Sequence, residues 1–166
     1  ALGMCLGLTL PAKAEYPEKP IMLMTAFNPG GASDPSHRLL EKFAKGIIPQ
    51  PIVVTYKAGA GGEIGWTWLA GAKPDGYTIG GVDLPHIVLQ PMLRPEGQPG
   101  YKTDQLNPLC CLVFDPDILI VSEKSPFKSF RELIDYAKAN PGKVKATTVG
   151  KLTGDHLFLM NVEKLT

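Results

Sequence analysis

Three short segments of this 166-residue chain carry the residue types that hold a small anion without a metal. They are residues 28–34 (Asn-Pro-Gly-Gly-Ala-Ser-Asp), 59–63 (Gly-Ala-Gly-Gly-Glu) and 150–155 (Gly-Lys-Leu-Thr-Gly-Asp). In each, an apolar run ends, a turn rich in glycine or hydroxyl residues follows, and a helical pattern begins. The first turn of a helix leaves backbone N–H groups without intrahelical partners, and the summed peptide dipole puts partial positive charge there. A hydrogen bond to a charged group contributes about 1.5–3 kcal/mol net, and a favourable helix end about 0.3–1 kcal/mol. Two carboxylates, each held by two or three such donors, can offset the association cost and still reach about −8 kcal/mol, a micromolar site. No arginine is required. One glycine loop alone is most simply turn geometry, but three in one short chain favour a shared task. Gly31 and Gly62 are expected to let backbone approach the ligand, so that a side chain there would block it and strain the turn. Asp34 is expected to turn its carboxylate onto backbone N–H groups and away from the ligand.

Signatures of catalysis are missing. The chain has no G-x-x-x-x-G-K-[ST], no G-x-S-x-G and no H-E-x-x-H. His37, His86 and His156 lie far apart and read as cap, surface or packing residues rather than as metal ligands or bases. The nearest approach to an enzyme motif is Gly59-Ala60-Gly61 opening a helix after a strand, with Asp83 about where a ribose-binding acid would follow. Its third glycine is displaced, because Ile64 stands at the required position and Gly65 comes after it. A dinucleotide-binding enzyme using this loop is the alternative reading.

The elements that must position these loops follow one grammar. Residues 21–27 are almost all apolar, as in a strand buried on both faces of a parallel sheet. Ser33 or Asp34 can cap the next helix, Pro35 is tolerated in its first turn, Leu39, Leu40, Phe43 and Ala44 form its stripe, and Gly46 stops it. The unit repeats with a strand at 52–56, a helix at 64–72, a Pro74-Asp75-Gly76 turn and a strand at 77–82. This βαβ order implies an α/β fold with a mostly parallel sheet. Residues 85–108, with five prolines, are expected to cross between lobes. Strands are expected at 109–114, 118–121 and 144–149. A helix capped by Ser129 and Glu132 lies between them, and a last helix carries Phe158, Val162 and Leu165. No C-cap follows that helix, and the C-terminus is expected to be truncated.

A composition of 44% hydrophobic and 20% charged residues with a net charge of +1 is that of a globular protein, and the absence of a basic run argues against a nucleic-acid partner. Residues 1–10 are uncharged and mostly apolar, and Ala12-Lys13-Ala14 places small residues where a signal peptidase reads. Residues 1–14 are therefore expected to be a signal-peptide remnant, the other reading being a buried N-terminal helix or strand. The run is too short to span a membrane. Cys5 lacks a lipoprotein context, since Met4 stands where a small residue is expected. Cys110 and Cys111, adjacent in an apolar stretch, are expected to be buried thiols rather than a vicinal disulfide.

Several stretches together resemble the tripartite tricarboxylate transporter receptors, or Bug family, which are extracytoplasmic solute-binding proteins. They are Tyr16-Pro17 with Lys19-Pro20-Ile21, Phe27-Asn28-Pro29-Gly30-Gly31 with Asp34, Gln50-Pro51-Ile52-Val53-Val54, Gly59-Ala60-Gly61-Gly62 with Ile64-Gly65, and Pro74-Asp75-Gly76-Tyr77-Thr78. Further on come Glu132-Leu133-Ile134, Ala137-Lys138-Ala139-Asn140-Pro141-Gly142-Lys143, and Gly150 with Thr153 and His156-Leu157. The resemblance implies a periplasmic-binding-protein-like fold of two α/β lobes, here a first lobe at 15–105 and an incomplete second lobe at 106–166. It implies a periplasmic receptor that is not membrane-spanning, has no cofactor and performs no catalysis. Such a receptor captures a small organic carboxylate and hands it to membrane transporter subunits. Carried over residue by residue, the first-lobe contacts would be Phe27, Asn28, Gly30, Gly31, Ala32, Ser33, Asp34, Gly61 and Gly62. The second-lobe contacts would be Thr148, Gly150, Thr153, Gly154 and Asp155. The chain departs from the family at Leu152, where a second glycine is usual, and at Lys57, where arginine is frequent.

Overall fold

A computed structural model describes residues 15–95, 100–116 and 118–164. The expected leader at 1–14, with Cys5, and Leu165 of the last stripe lie outside the described residues.

The centre is a three-stranded parallel sheet of order β2-β1-β3, with β1 at Ile21–Thr25, β2 at Ile52–Tyr56 and β3 at Thr78–Gly80. Leu23 is in register with Val54 on one side and Ile79 on the other. Because side chains alternate along a strand, the central β1 feeds two cores. Ile21 and Leu23 pack with Ile52, Val54 and Ala44, the last from α1 (Ser33–Ala44). Beyond them, Met24 and Ala26 pack with Trp66, Ile87 and Tyr101. Trp66 belongs to α2 (Glu63–Ala70), whose Gly65 lies so close to the end of β1 that a Cβ there would meet the Lys57 carbonyl at 2.8 Å and Ala26 Cα at 2.9 Å. The loops after β1, β2 and β3 all leave the carboxyl edge of the sheet, where ligands bind in open α/β folds.

The structure corrects two expectations and adds one element. Residues 85–108 contain a helix, α3 (His86–Leu93), which buries Ile87 and Gln90, and a short 3-10 turn at Thr103–Gln105. The runs 109–114, 118–121 and 144–149 are not strands. A strand has no hydrogen bonds of its own, so an apolar run becomes one only against a neighbour in register. None is placed beside these runs among the described residues, and Phe114, Ile118 and Val149 stand 91%, 82% and 80% exposed. For the same reason Cys110 and Cys111 are exposed free thiols rather than buried ones.

The other expected helices are present as α4 (Phe130–Ala139) and α5 (Gly154–Glu163). The Ser129 hydroxyl accepts from the Glu132 N–H at 3.2 Å, while the Glu132 carboxylate reaches back to the Lys128 N–H at 2.8 Å, one residue earlier than a regular capping box.

Candidate functional site at the carboxyl edge of the sheet

The loop after β1 is closed by its own carboxylate. Gly31 donates to the Asn28 carbonyl at 3.0 Å and Asp34 to the Gly31 carbonyl at 3.1 Å. Asp34 Oδ2 accepts the Gly30 N–H at 2.8 Å, and Oδ1 accepts the Tyr56 hydroxyl at 2.7 Å. Arg38 donates to the same hydroxyl at 2.7 Å and lies 3.5 Å from Asp34. The Gly30 bond first, then the Tyr56 bond, hold the Asp34 carboxyl below its ordinary range. The expected cap at Ser33 or Asp34 is absent. The N-cap is Ala32, with no side-chain cap, and the Ser33 hydroxyl donates instead to Asp83 at 3.0 Å. Asn28, Gly30 and Ala32 are exposed; Phe27, Gly31, Ser33 and Asp34 are half-buried.

After β2, Gly61 (φ +67) and Gly62 (φ +98) need the left-handed region that glycine enters without strain. The space beside Gly62 belongs to Trp66, since a Cβ there would come within 2.6 Å of the indole. Two carbonyls of this loop are held by α3 and its C-cap. Gln90, wholly buried, donates to the Gly61 carbonyl at 2.8 Å, and Arg94 donates to the Ala60 carbonyl at 3.0 Å while pairing with Glu63. Asp83, assigned to a ribose in the alternative reading, is engaged by Ser33.

The third loop packs against the second. A Cβ on Gly61 would meet the Lys151 carbonyl at 3.2 Å, and one on Gly150 would sit 3.7 Å from Gly61 Cα. Thr153 is fully buried, and its hydroxyl donates to the Gly150 carbonyl at 2.6 Å; the half-buried Thr148 hydroxyl reaches the same carbonyl at 3.2 Å. Asp155 accepts the Val149 N–H at 2.9 Å. Burial alone would push the Asp155 carboxyl up, but the Thr153 side chain and the Val149, Asp155 and His156 N–H groups outweigh it and hold the group low. Leu152, where the family resemblance leads one to expect glycine, takes a left-handed conformation (φ +63) all the same.

One side chain joins the third loop to the rest. The Gly154 N–H, the first of α5, donates to His86 Nε2 at 3.0 Å. The His86 ring lies edge-on to Phe27 and Trp66, at 6.4 and 6.3 Å between centroids. His86 and Gln90, four residues apart, share one face of α3, and Arg94, its C-cap, continues the spacing. That spacing is visible in the sequence, but Pro85 and Pro91 beside it are local signals against a helix.

The arrangement gathers three glycine-containing turns and an aromatic group at one edge of a parallel sheet. No cluster of metal-binding residues occurs among the described residues. No described helix is long and apolar enough to cross a membrane.

The model of the tripartite tricarboxylate transporter family receptor matches residues 37–165. A UPF0065 protein in the gbd 5' region of Cupriavidus necator is 36% identical over 163 residues, covering 96% of this chain and 49% of that protein. The periplasmic binding protein BugD superposes with a TM-score of 0.69 at 30% identity, over 90% of this chain and 50% of that one. An R. palustris protein solved with adipate superposes with a TM-score of 0.62 at 25% identity, over 78% of this chain and 43% of that one. The chain thus spans about half the length of the relatives it matches.

Proposed function

The chain belongs to the tripartite tricarboxylate transporter receptor family, and we propose that it captures a small organic carboxylate outside the cytoplasm for delivery to a membrane transporter of the tripartite tricarboxylate type. Residues 15–105 act as the first lobe and residues 106–166 as part of the second. The ligand lies among the turn containing Phe27, Asn28, Gly30, Gly31, Ala32, Ser33 and Asp34, the Gly61–Gly62 turn, and the segment containing Thr148, Gly150, Thr153, Gly154 and Asp155.

The observation that carries this reading is the meeting of the turn after β2 with the turn before α5, Gly61 against Gly150 and Lys151, at the carboxyl edge of the sheet. Distant parts of the chain close on one another there, as a receptor that encloses its ligand needs. The geometry also divides labour among the glycines and acids. The N–H groups of Gly30, Gly31, Asp34, Gly62 and Gly154 are engaged within the protein. These bonds shape the turns, and Asn28, exposed beside the first of them, offers a side-chain amide. Asp34 and Asp155 neutralise the helix ends they occupy, so they set loop shape rather than repel the anion.

The test is a thermal-shift screen of adipate, citrate, amino acids and NADH, followed by calorimetry. Stabilisation by a di- or tricarboxylate with micromolar affinity is expected. Stabilisation by NADH alone would overturn the receptor reading in favour of a dinucleotide-binding enzyme.

A further inference from the structure

We infer that His86 is the positioning residue that docks α5 onto the first part of the fold, and that ligand affinity depends on this contact although His86 acts through Gly154 rather than on the ligand. The N-terminus of α5 has the form of an anion site, but its donors are committed. The Gly154 N–H donates to His86 Nε2 at 3.0 Å, and the Asp155 carboxylate, held low in part by the Asp155 and His156 N–H groups, occupies the same turn. What the helix end offers is therefore a dock for an imidazole. Accepting at Nε2 places the proton of the neutral ring on Nδ1.

The ring is well placed for this task. His86 begins α3, whose same face holds the second turn through Gln90 on Gly61 and, at its C-cap, Arg94 on Ala60. Phe27 and Trp66 flank the ring edge-on, so its orientation is set before α5 arrives. One side of a short helix thus holds the turn after β2 and the start of α5 at a fixed distance, with Gly61 and Gly150 brought into contact between them. A 68-residue separation in sequence is bridged by this bond.

The dependence of affinity on this bond rests on the receptor reading, whereas the dock itself does not, so two readouts separate them. His86→Phe keeps a flat ring beside Phe27 and Trp66 but cannot accept, and His86→Gln restores an acceptor. Exchange of the Gly154 amide, followed by NMR on the ligand-free protein, is expected to quicken at least tenfold in His86→Phe and to stay near wild type in His86→Gln. Equal protection in all three proteins would overturn the dock. Calorimetry with adipate and citrate is expected to show at least tenfold weaker binding for His86→Phe and rescue to within threefold by His86→Gln. Unchanged affinity in His86→Phe, or failure of the glutamine to rescue, would overturn its role in binding. If the wild-type protein binds neither carboxylate, the receptor reading fails while the amide exchange still decides the dock.

Discussion

The Tyr101 hydroxyl donates to the carbonyl of Ile87 at 3.1 Å, the carbonyl that Pro91 deprives of its helical partner. Proline inside a helix removes the N–H that would bond four residues back, and Ile87 is buried, so its carbonyl has no water to turn to. The same hydroxyl lies 3.4 Å from Gln90 Oε1, on the amide whose other end holds Gly61. Burial, and then the charge of Glu63, push the Tyr101 phenol up to about 12, so it stays a donor across the useful pH range.

Tyr101→Phe should therefore cost more than a surface hydroxyl would. A buried acceptor left unsatisfied loses about 1–3 kcal/mol. Urea unfolding should show a lower midpoint with an unchanged slope. A midpoint equal to wild type would mean that α3 does not depend on this bond.

The contrast between α1 and α3 shows what the sequence could and could not reveal. For α1 the helical spacing and Gly46 are local signals, and the helix runs Ser33–Ala44 as they imply, although Leu39 and Phe43 of the expected stripe stand exposed; β2 spans Ile52–Tyr56 as its apolar run implies. In α3 the local signals, Pro85 and Pro91, argue against a helix, and the repair comes from Tyr101, ten residues past the proline. The runs at 109–121 failed in the opposite direction, since strand-forming residues do not supply a strand partner. At the site, the three turns were legible because glycine before a helix is a local pattern. Whether a given glycine makes room for a ligand or for a neighbouring side chain was not legible, because Trp66 decides it in three dimensions.

Gly62 is the clearest case, and the structure shifts the expected effect of a side chain there from binding to folding. A Cβ would enter the Trp66 ring at 2.6 Å, and φ +98 is already closed to valine without strain. Overpacking a core typically costs about 1–3 kcal/mol, and the left-handed backbone adds about 1–2 kcal/mol. Gly62→Val should lower the melting temperature and alter Trp66 fluorescence in the absence of any ligand. A variant with wild-type stability and spectrum that binds adipate more weakly would instead place Gly62 against the ligand.

His37 gives the fold a dependence on mild acid. Its ring is 4% exposed and its Nδ1 is paired with the Thr25 hydroxyl at 2.7 Å. Burial lowers its pKa, against the opposing pull of Asp83 and then Asp34. A histidine whose folded pKa is depressed binds protons more readily when unfolded, so its contribution is intact above about 6.5 and falls as pH drops from there toward the folded value. Asp34 and Asp155, also depressed, act in a separate and more acidic window, below the ordinary carboxyl range. Unfolding midpoints should drop between pH 7.5 and 5, and His37→Gln should flatten that drop. An equal drop in the variant would assign it to other groups. Asp34→Asn, tested at pH 7.5, should change adipate affinity by less than about threefold, a difference below 1 kcal/mol, whereas a large gain would show that the carboxylate faces the ligand.

The last prediction concerns the surface left by the runs that do not pair. Leu109, Phe114, Ile118 and Ile120 are 80%, 91%, 82% and 80% exposed, and they lie within one short stretch of chain. Extended apolar segments with unpaired backbone groups are templates for pairing with another chain. Close by, Leu119, Val121, Phe127, Phe130, Leu133 and Phe158 line a concavity of about 460 Å³ that is mostly apolar. Contiguous apolar surface of this kind drives association when nothing covers it. The 166-residue chain should therefore self-associate with rising concentration, seen as growth in mass by light scattering coupled to size-exclusion chromatography. A charge placed in the middle of the run, Ile120→Lys, should suppress that growth, because a buried lysine would have to be desolvated in the contact. It should leave the melting temperature unchanged, since Ile120 contributes to neither core. A chain that stays monomeric across that concentration range, or an Ile120→Lys variant that associates as strongly as wild type, would show that this stretch is not the adhesive surface.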